Sequence, residues 1–222
     1  MSDFINTVDI LGDEAVATAI IDRGISEYND NGVKAVGNYA FYKCSKLTSV
    51  DLPFVTDIKP YAFRECTALT SANLPSVTNI GIYAFDGCAY LASLNLPSIQ
   101  TIGTNAIQKC AYMTSVDLHS LLSISSKTFY YCYSLTSVVL RSTTLCKLGS
   151  TDAFTSCYRL HGTVNSTYNP NGEKCGYIYV PRDLVESYKV ATNWSTFSTQ
   201  FRALEDYTVD GTITGELDTT KI

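Results

Sequence analysis

AFRECTALTSANLPSVTNIGIY, residues 62–83, returns along the chain at a fixed step of 22 residues. AFYKCSKLTSVDLPFVTDIKPY precedes it from Ala40. AFDGCAYLASLNLPSIQTIGTN follows from Ala84, AIQKCAYMTSVDLHSLLSISSK from Ala106, and a looser TFYYCYSLTSVVL from Thr128. A fixed period of this length is the signature of a solenoid, in which each repeat is one coil and each coil completes its core against its neighbours. The 222 residues therefore read as one continuous unit.

Within one coil, apolar residues fall at Leu47, Val50, Leu52, Val55 and Ile58, then at Ala62 and Phe63. The spacing L-x-x-V-x-L is the strand motif of leucine-rich repeats. Val50 and Leu52 alternate with Ser49 and Asp51, as a half-buried strand requires. Equivalent residues of stacked coils lie about 4.8 Å apart, so these strands are expected to form one parallel sheet. Pro53, Pro75 and Pro97 end the strands by removing a donor. A second extended piece follows (VTDI, VTNI, IQTI), and YAFREC or its equivalent is expected to make one helical turn. Phe63, Phe85, Phe129 and Phe154 form an interior aromatic column, with Ile107 as its exception. The fold class is α/β: a solenoid with a parallel sheet on one face, short helical turns and helical caps at both ends.

Cys44, Cys66, Cys88, Cys110 and Cys132 occupy one fixed place in the repeat, and Cys157 comes three residues late. Each precedes a core apolar residue by three positions (Leu47, Leu69, Leu91, Met113, Leu135, Leu160). This describes a buried column of reduced thiols, since free cysteine is among the most buried residue types. The ligand clusters of a metal site are missing. Cys146 and Cys175 lie outside the ladder and are expected to stay unbridged.

At the N-terminus, DEAVATAIID (residues 13–22) reads as a short helix with acidic residues at its positive end and Gly24 at its exit. ISEY (25–28) aligns with LTSV (47–50), Val33 with Val55 and Val36 with Ile58. Residues 1–39 are therefore expected to be a cap with a degenerate first coil, and 40–160 the solenoid proper. After Leu160, HGTVNSTYNPNGEKCG is rich in turn signals. GYIYVP reads as a strand stopped by Pro181. PRDLVESYKVA reads as a helix with Leu184, Val185 and Tyr188 facing inward, and NWSTFSTQFRAL as a second helical piece whose Trp194 and Phe197 pack inside. Residues 161–205 are expected to form a C-terminal cap, and 206–222 a polar tail or linker in which Asp210-Gly211 has the composition of a hairpin turn.

The pattern AF-x-x-C-x-x-L-x-S-x-x-LP-x-V-x-x-I resembles the BspA-type leucine-rich repeat, over about Val33 to Leu160. YVPRDLVESYKVATNWS is similar to the closing segment of such chains. The resemblance implies a right-handed solenoid used for binding, in adhesion to host proteins or other cells. It implies no enzymatic activity, and a location on the cell surface or outside the cell. His119 and Arg141 depart from it by replacing the strand-ending proline, as does an insertion near residues 142–152.

Composition narrows the function further. The net charge is −5, and Lys and Arg are scattered singly, so nucleic acid is not an expected partner. No apolar run reaches the length of a membrane span. The acidic first residues lack the features of a secretory leader. The only histidines are His119, read as solvated, and His161; Asp51 and Asp117 are separated by Asn73 and Asn95, a polar ladder and no acid/base pair. No metal-protease, Walker or dinucleotide motif is present. The sequence therefore offers no catalytic residue, metal ligand or cofactor site.

What remains is the outward face of the sheet. One column holds Ser49, Ser71, Ser93, Ser115 and Ser137; the next holds Asp51, Asn73, Asn95, Asp117 and Val139. Tyrosines supply a second candidate surface. Tyr39, Tyr61 and Tyr83 share a column, and Tyr90, Tyr112, Tyr130, Tyr131 and Tyr133 gather on later coils. Tyrosine offers rigid amphipathic contact area at low entropic cost. The expected ligand-facing set is Ser49, Asp51, Ser71, Asn73, Ser93, Asn95, Ser115, Asp117, Tyr61, Tyr83, Tyr90 and Tyr112. Two readings follow: an adhesion or interaction module for a protein or glycan, or a structural, tail-associated protein of a phage or prophage.

Overall fold

The computed structural model describes residues 27–29, 32–163, 165–172, 176–206, 208–209 and 212–213. Strands at Ser49–Asp51, Ser71–Asn73, Ser93–Leu96, Ser115–Leu118 and Ser137–Leu140 stack in parallel with equivalent residues opposite one another. The inward residues of this first ladder, Val50, Leu94, Val116 and Val138, are buried. The ladder is broken into two sheets between Asn73 and Ser93. The break falls beside Ala72, the smallest residue in the column it shares with Val50, Leu94, Val116 and Val138.

The extended pieces beyond the proline turns build a second parallel ladder, where the sequence suggested only one. Val36 pairs with Ile58, Ile58 with Ile80 and Ile80 with Ile102; Ile124 pairs with Leu148 in a separate two-stranded piece. Two residues per strand suffice because the turn between the ladders also bonds from coil to coil. Thr78 N–H, for example, donates to Thr56 O at 2.8 Å.

The YAFREC segment is a run of β-turns; the expected helical turn is absent from it. Its amides alternate in purpose. Tyr61, Phe63 and Glu65 donate forward to Ile82, Ala84 and Asp86 of the next coil, whereas Ala62, Arg64 and Cys66 donate back three residues within their own coil. The alternation needs left-handed backbone at two places per coil. Tyr39, Tyr61, Tyr83, Asn105 and Lys127 occupy one, and Lys43, Glu65, Gly87, Lys109 and Tyr131 the other, with φ between 54° and 77°. A residue with positive φ every fourth position cannot continue a right-handed helix. Helical geometry returns only in the sixth coil, at Thr151–Phe154 and Tyr158–His161.

The expected interior columns form. Phe41, Phe63 and Phe85 stack at 4.9 and 5.1 Å, Phe129 stacks on Phe154 at 5.4 Å, and Ile107 separates the two stacks. Beside them the cysteines are thiols, each bonding sulfur to carbonyl with the previous coil: Cys66 to Phe41, Cys88 to Phe63, Cys110 to Phe85, Cys132 to Ile107 and Cys157 to Phe129, at 3.0–3.5 Å. Burial pushes the Cys66 thiol from 9.0 up to about 12, and those of Cys88, Cys110 and Cys157 well above their ordinary value.

Beyond the sixth coil the first ladder continues. Tyr177–Val180 pairs in parallel with Ser137–Leu140, and Phe201–Ala203 pairs with Tyr177–Val180; the last of these is a strand where a helical piece was expected. Between them lie the helix Val185–Val190 and the 3-10 turn Trp194–Phe197. Tyr188, Trp194 and Phe197 are buried, while Leu184 and Val185 pack partly buried against the core. Their polar atoms complete backbone groups of the inserted segment. Cys146 N–H donates to the Tyr188 hydroxyl at 2.8 Å, Trp194 Nε1 to Cys146 O at 2.6 Å, and Asn193 Nδ2 to Leu148 O at 2.7 Å. Further on, Thr208–Val209 pairs antiparallel with Thr212–Ile213, flanking Asp210-Gly211.

At the other end, Glu27–Asn29 pairs antiparallel with Gly32–Val36. It does not stack on Ser49–Asp51 as the alignment of ISEY with LTSV suggested. The expected helix over residues 13–22 lies outside the described residues, as does Cys175. Cys146 is a buried thiol.

Two outcomes follow from this packing. A Cβ on Gly81 would stand 2.5 Å from Pro60 N on the preceding coil, so Gly81→Ala should lower stability by about 1–3 kcal/mol in urea unfolding, with an unchanged far-ultraviolet spectrum. A thiol kept neutral in the fold but free to ionise when unfolded favours folding fully below pH 9.0 and ceases to do so as pH climbs towards 12. The unfolding midpoint should therefore fall steeply above about pH 9, and less steeply in a Cys66→Ala/Cys88→Ala variant.

Candidate ligand-binding face

Ser49, Asp51, Ser71, Asn73, Ser93 and Asn95 are exposed on the outward side of the first ladder, and Ser115, Asp117 and Ser137 are half-buried there. The face becomes progressively more enclosed towards the C-terminal coils. Val139, in the Asp/Asn column, is buried with Tyr179 and Leu204, because the strand Tyr177–Val180 continues the ladder beside it.

The polar groups on this face are unequally engaged. Asn73 Nδ2 donates to Asp51 Oδ1 at 2.8 Å. Asp117 is held by a two-pronged contact from Arg141, with Nε at 2.9 and 3.0 Å from its two oxygens and Nη2 at 2.7 Å from Oδ2. Such forks are the strongest hydrogen-bonded ion pairs a protein makes. His119, expected in solvent, is half-buried; its Nδ1 lies 3.5 Å from Asp117 Oδ1, enclosed and without a hydrogen bond. Between the two engaged pairs, Asn95 and the hydroxyls of Ser93, Ser115 and Ser137 make no side-chain hydrogen bond among the described residues. Together with Asp117, His119, Val139 and Arg141 they line a hollow of about 500 Å³.

The tyrosines divide into two groups with no ring contact between them among the described residues. Tyr39, Tyr61 and Tyr83 stack at 4.7 and 5.2 Å, and the Arg64 guanidinium lies 5.7–5.8 Å from the rings of Tyr42, Tyr61 and Tyr83. Arg64 Nε also binds Asp86 at 2.8 Å, and Gln108 Nε2 reaches the other Asp86 oxygen at 2.9 Å. Tyr61 and Tyr83 are thus half-buried parts of a polar network around buried Asp86. Tyr90 and Tyr112, stacked at 5.0 Å, are 56% and 47% exposed. They open a chain of rings through Tyr168, Tyr133, Tyr131 and Tyr130, with Tyr158 stacked on Tyr133.

Sequence reasoning missed Arg141, His119 and Tyr168. Arg141 and Asp117 are 24 residues apart, one coil plus one alternation of the strand, so a search for opposite charges on diagonal neighbours would have found the pair. Tyr168 comes from the loop after the sixth coil, and no periodic signal points to it.

Among the described residues no group of three or more His, Cys, Asp or Glu side chains is placed to hold a metal ion, and no helix is long and apolar enough to cross a membrane. The model of the BspA type leucine rich repeat region matches residues 34–161 in six copies. The chain belongs to the BspA-type leucine-rich repeat family. Leucine-rich repeats generally serve as non-enzymatic interaction scaffolds whose stacked coils present an extended surface. The pneumococcal vaccine antigen PcpA superposes with a TM-score of 0.54 at 17% identity, over 83% of this chain and 41% of the antigen. A T. pallidum leucine-rich repeat protein, TpLRR, superposes with a TM-score of 0.52 at 28% identity, over 68% of this chain and 81% of its own. This chain thus spans less than half the length of the pneumococcal antigen. No curated protein sequence matches it.

Removing the guanidinium strands a half-buried carboxylate, so Arg141→Ala should cost about 1–2 kcal/mol. Urea unfolding checks this, and Asp117→Asn/Arg141→Ala should recover part of the loss.

Proposed function

We propose that this chain is a non-enzymatic binding module of an adhesion or interaction protein, and that it takes its ligand on the outward face of the first ladder, flanked by Tyr90 and Tyr112. The observation carrying this reading is the uneven satisfaction of that face. Both neighbouring polar pairs are closed, whereas Ser93, Asn95, Ser115 and Ser137 make no side-chain hydrogen bond among the described residues and line a hollow of about 500 Å³. Polar groups that a folded chain leaves unmatched in a concavity are available to a ligand. Membership of a repeat family whose coils serve as interaction scaffolds supports the same reading.

Tyr61 and Tyr83 are not part of the proposed surface, because stacking and the Arg64 contacts occupy their rings. Tyr90 and Tyr112 are, since they retain about half of their surface and sit three residues upstream of Ser93 and Ser115 on the same coils.

Screening the purified chain on combined protein and glycan arrays tests this proposal. A Ser71→Arg/Ser93→Arg/Ser115→Arg variant, which fills the face with long charged side chains, should lose every specific signal. Tyr90→Ser/Tyr112→Ser should weaken those signals. Undiminished binding by the arginine variant, with its thermal transition unchanged, overturns the assignment of the face.

A further inference from the structure

The hollow between Asn95 and Arg141 points to a more definite ligand, and this step rests on the assignment of the face just made. We infer that the hollow is a subsite for a neutral oligosaccharide, read by Ser93, Asn95, Ser115 and Ser137 and by the rim that Asp117, His119 and Arg141 form.

Three features select this chemistry. The first is charge. Arg141 and Asp117 neutralise each other through a fork at 2.7–3.0 Å, so no uncompensated charge is offered to an anion or cation; a charged ligand would have to open the fork. The second is polarity. A protein partner is normally anchored by aromatic or aliphatic side chains that enter a desolvated pocket. Here the apolar lining residues Leu94, Val116 and Val139 are themselves 0–2% exposed, so no aliphatic or aromatic pocket opens for such an anchor; the remaining lining side chains present polar tips on exposed carbon stems. A ligand dense in hydroxyl groups, with C–H surface between them, matches such a mixed lining. The third is repetition. Ser93, Ser115 and Ser137 stand opposite one another on adjacent parallel strands, about 4.8 Å apart. That row suits a chain-like ligand presenting hydroxyls at regular intervals across the strands.

The aromatic edge fits the same ligand. Tyr90 and Tyr112 lie nearly parallel, with 8° between their planes. The residue equivalent to Tyr90 on the preceding coil is Ala68, so among the described residues no ring lies against the Tyr90 face turned away from Tyr112. Three residues upstream of Ser93 in the sequence and outside the lining of the hollow itself, that phenol face offers the C–H surface of a further pyranose unit a place to stack. Enclosed at Nδ1 beside Asp117, His119 adds an imidazole edge to the lining of the hollow.

Titration calorimetry of the full chain against cellohexaose, a linear mannohexaose, a hexameric polygalacturonate and a heparin hexasaccharide decides the matter. One or both neutral hexasaccharides should bind, and both polyanions should not. Asn95→Ala/Ser115→Ala should weaken that binding about tenfold or more, Tyr90→Ser should weaken it as well, and Ser49→Ala, on the same face but outside the hollow, should leave it unchanged. Silence of both neutral sugars, binding of the polyanions alone, or neutral binding indifferent to Asn95→Ala/Ser115→Ala overturns the inference. If the sugars fail but an array protein is bound and lost in the face-filling arginine variant, the oligosaccharide subsite is wrong and the face remains assigned. If the arginine variant also binds undiminished, both fall.

Discussion

Backbone hydrogen bonds from one coil to the next, spaced close to one repeat along the sequence, constrain everything else in this molecule. They occur on every side of the coil. Thr70 N–H reaches Thr48 O at 2.8 Å in the first ladder, Thr78 N–H reaches Thr56 O at 2.8 Å beside the second, and Phe63 N–H reaches Ala84 O at 2.8 Å in the turns. Because each coil is pinned at all three places, equivalent residues must lie directly over one another. A side chain that fits between its equivalents above and below is then favoured at that place in every coil. This is why phenylalanine faces phenylalanine and cysteine follows cysteine, and why the sequence repeats at all.

The same constraint creates side-chain ladders. Thr70 and Thr136 Oγ1 donate to the carbonyls of Thr48 and Thr114 one coil earlier, at 2.9 and 3.1 Å, and Asn79 Nδ2 donates to Asp57 at 3.1 Å. The cysteine column is the buried version. A sulfhydryl is a weakly polar donor that reaches the preceding coil's carbonyl while filling apolar space, which is why it recurs where alanine would leave a gap and serine would bring a more strongly hydrated group inside. Around Asp86 the ladder is heterogeneous, with Arg64 and Gln108 on either side of a buried carboxylate. It still obeys the rule that neighbours one coil apart satisfy each other.

The columns were legible in the sequence because period and burial reinforce one another: Val50, Val55, Ile58, Phe63, Cys66 and Leu69 are all buried where the repeat places them. Features without a local chemical signal were not legible. Most of the left-handed residues of the turns, such as Tyr61, Glu65 and Lys109, carry none of the turn signature of glycine or asparagine, and only Gly87 and Asn105 show it, so the segment resembled a helical turn. The strand at Phe201–Ala203 was hidden because its stacking partner is Tyr177–Val180, outside the repeat frame. The closure of Cys146 by Tyr188 and Trp194 joins residues more than forty apart, and no periodic reading connects them. On the candidate face, the exposed serines and amides were read correctly as outward. Which of them remain unmatched depended on diagonal contacts, such as that of Arg141 with Asp117, that only the assembled coils reveal.

This asymmetry has a functional consequence. A column of the solenoid satisfies itself internally where an acceptor on one coil meets a donor on the next. Asp51 and Asn73 do this, as do Asp57 and Asn79. Asn95 cannot, because the sheet is interrupted on one side of it and Arg141 has claimed Asp117 on the other. The departures that blur the repeat, namely Ala72 in a column of larger residues and Arg141 in place of a proline, lie on either side of Asn95, the amide of its column that no neighbouring coil satisfies. In a fold whose regularity consumes its own hydrogen-bonding capacity, binding capacity collects where the regularity fails.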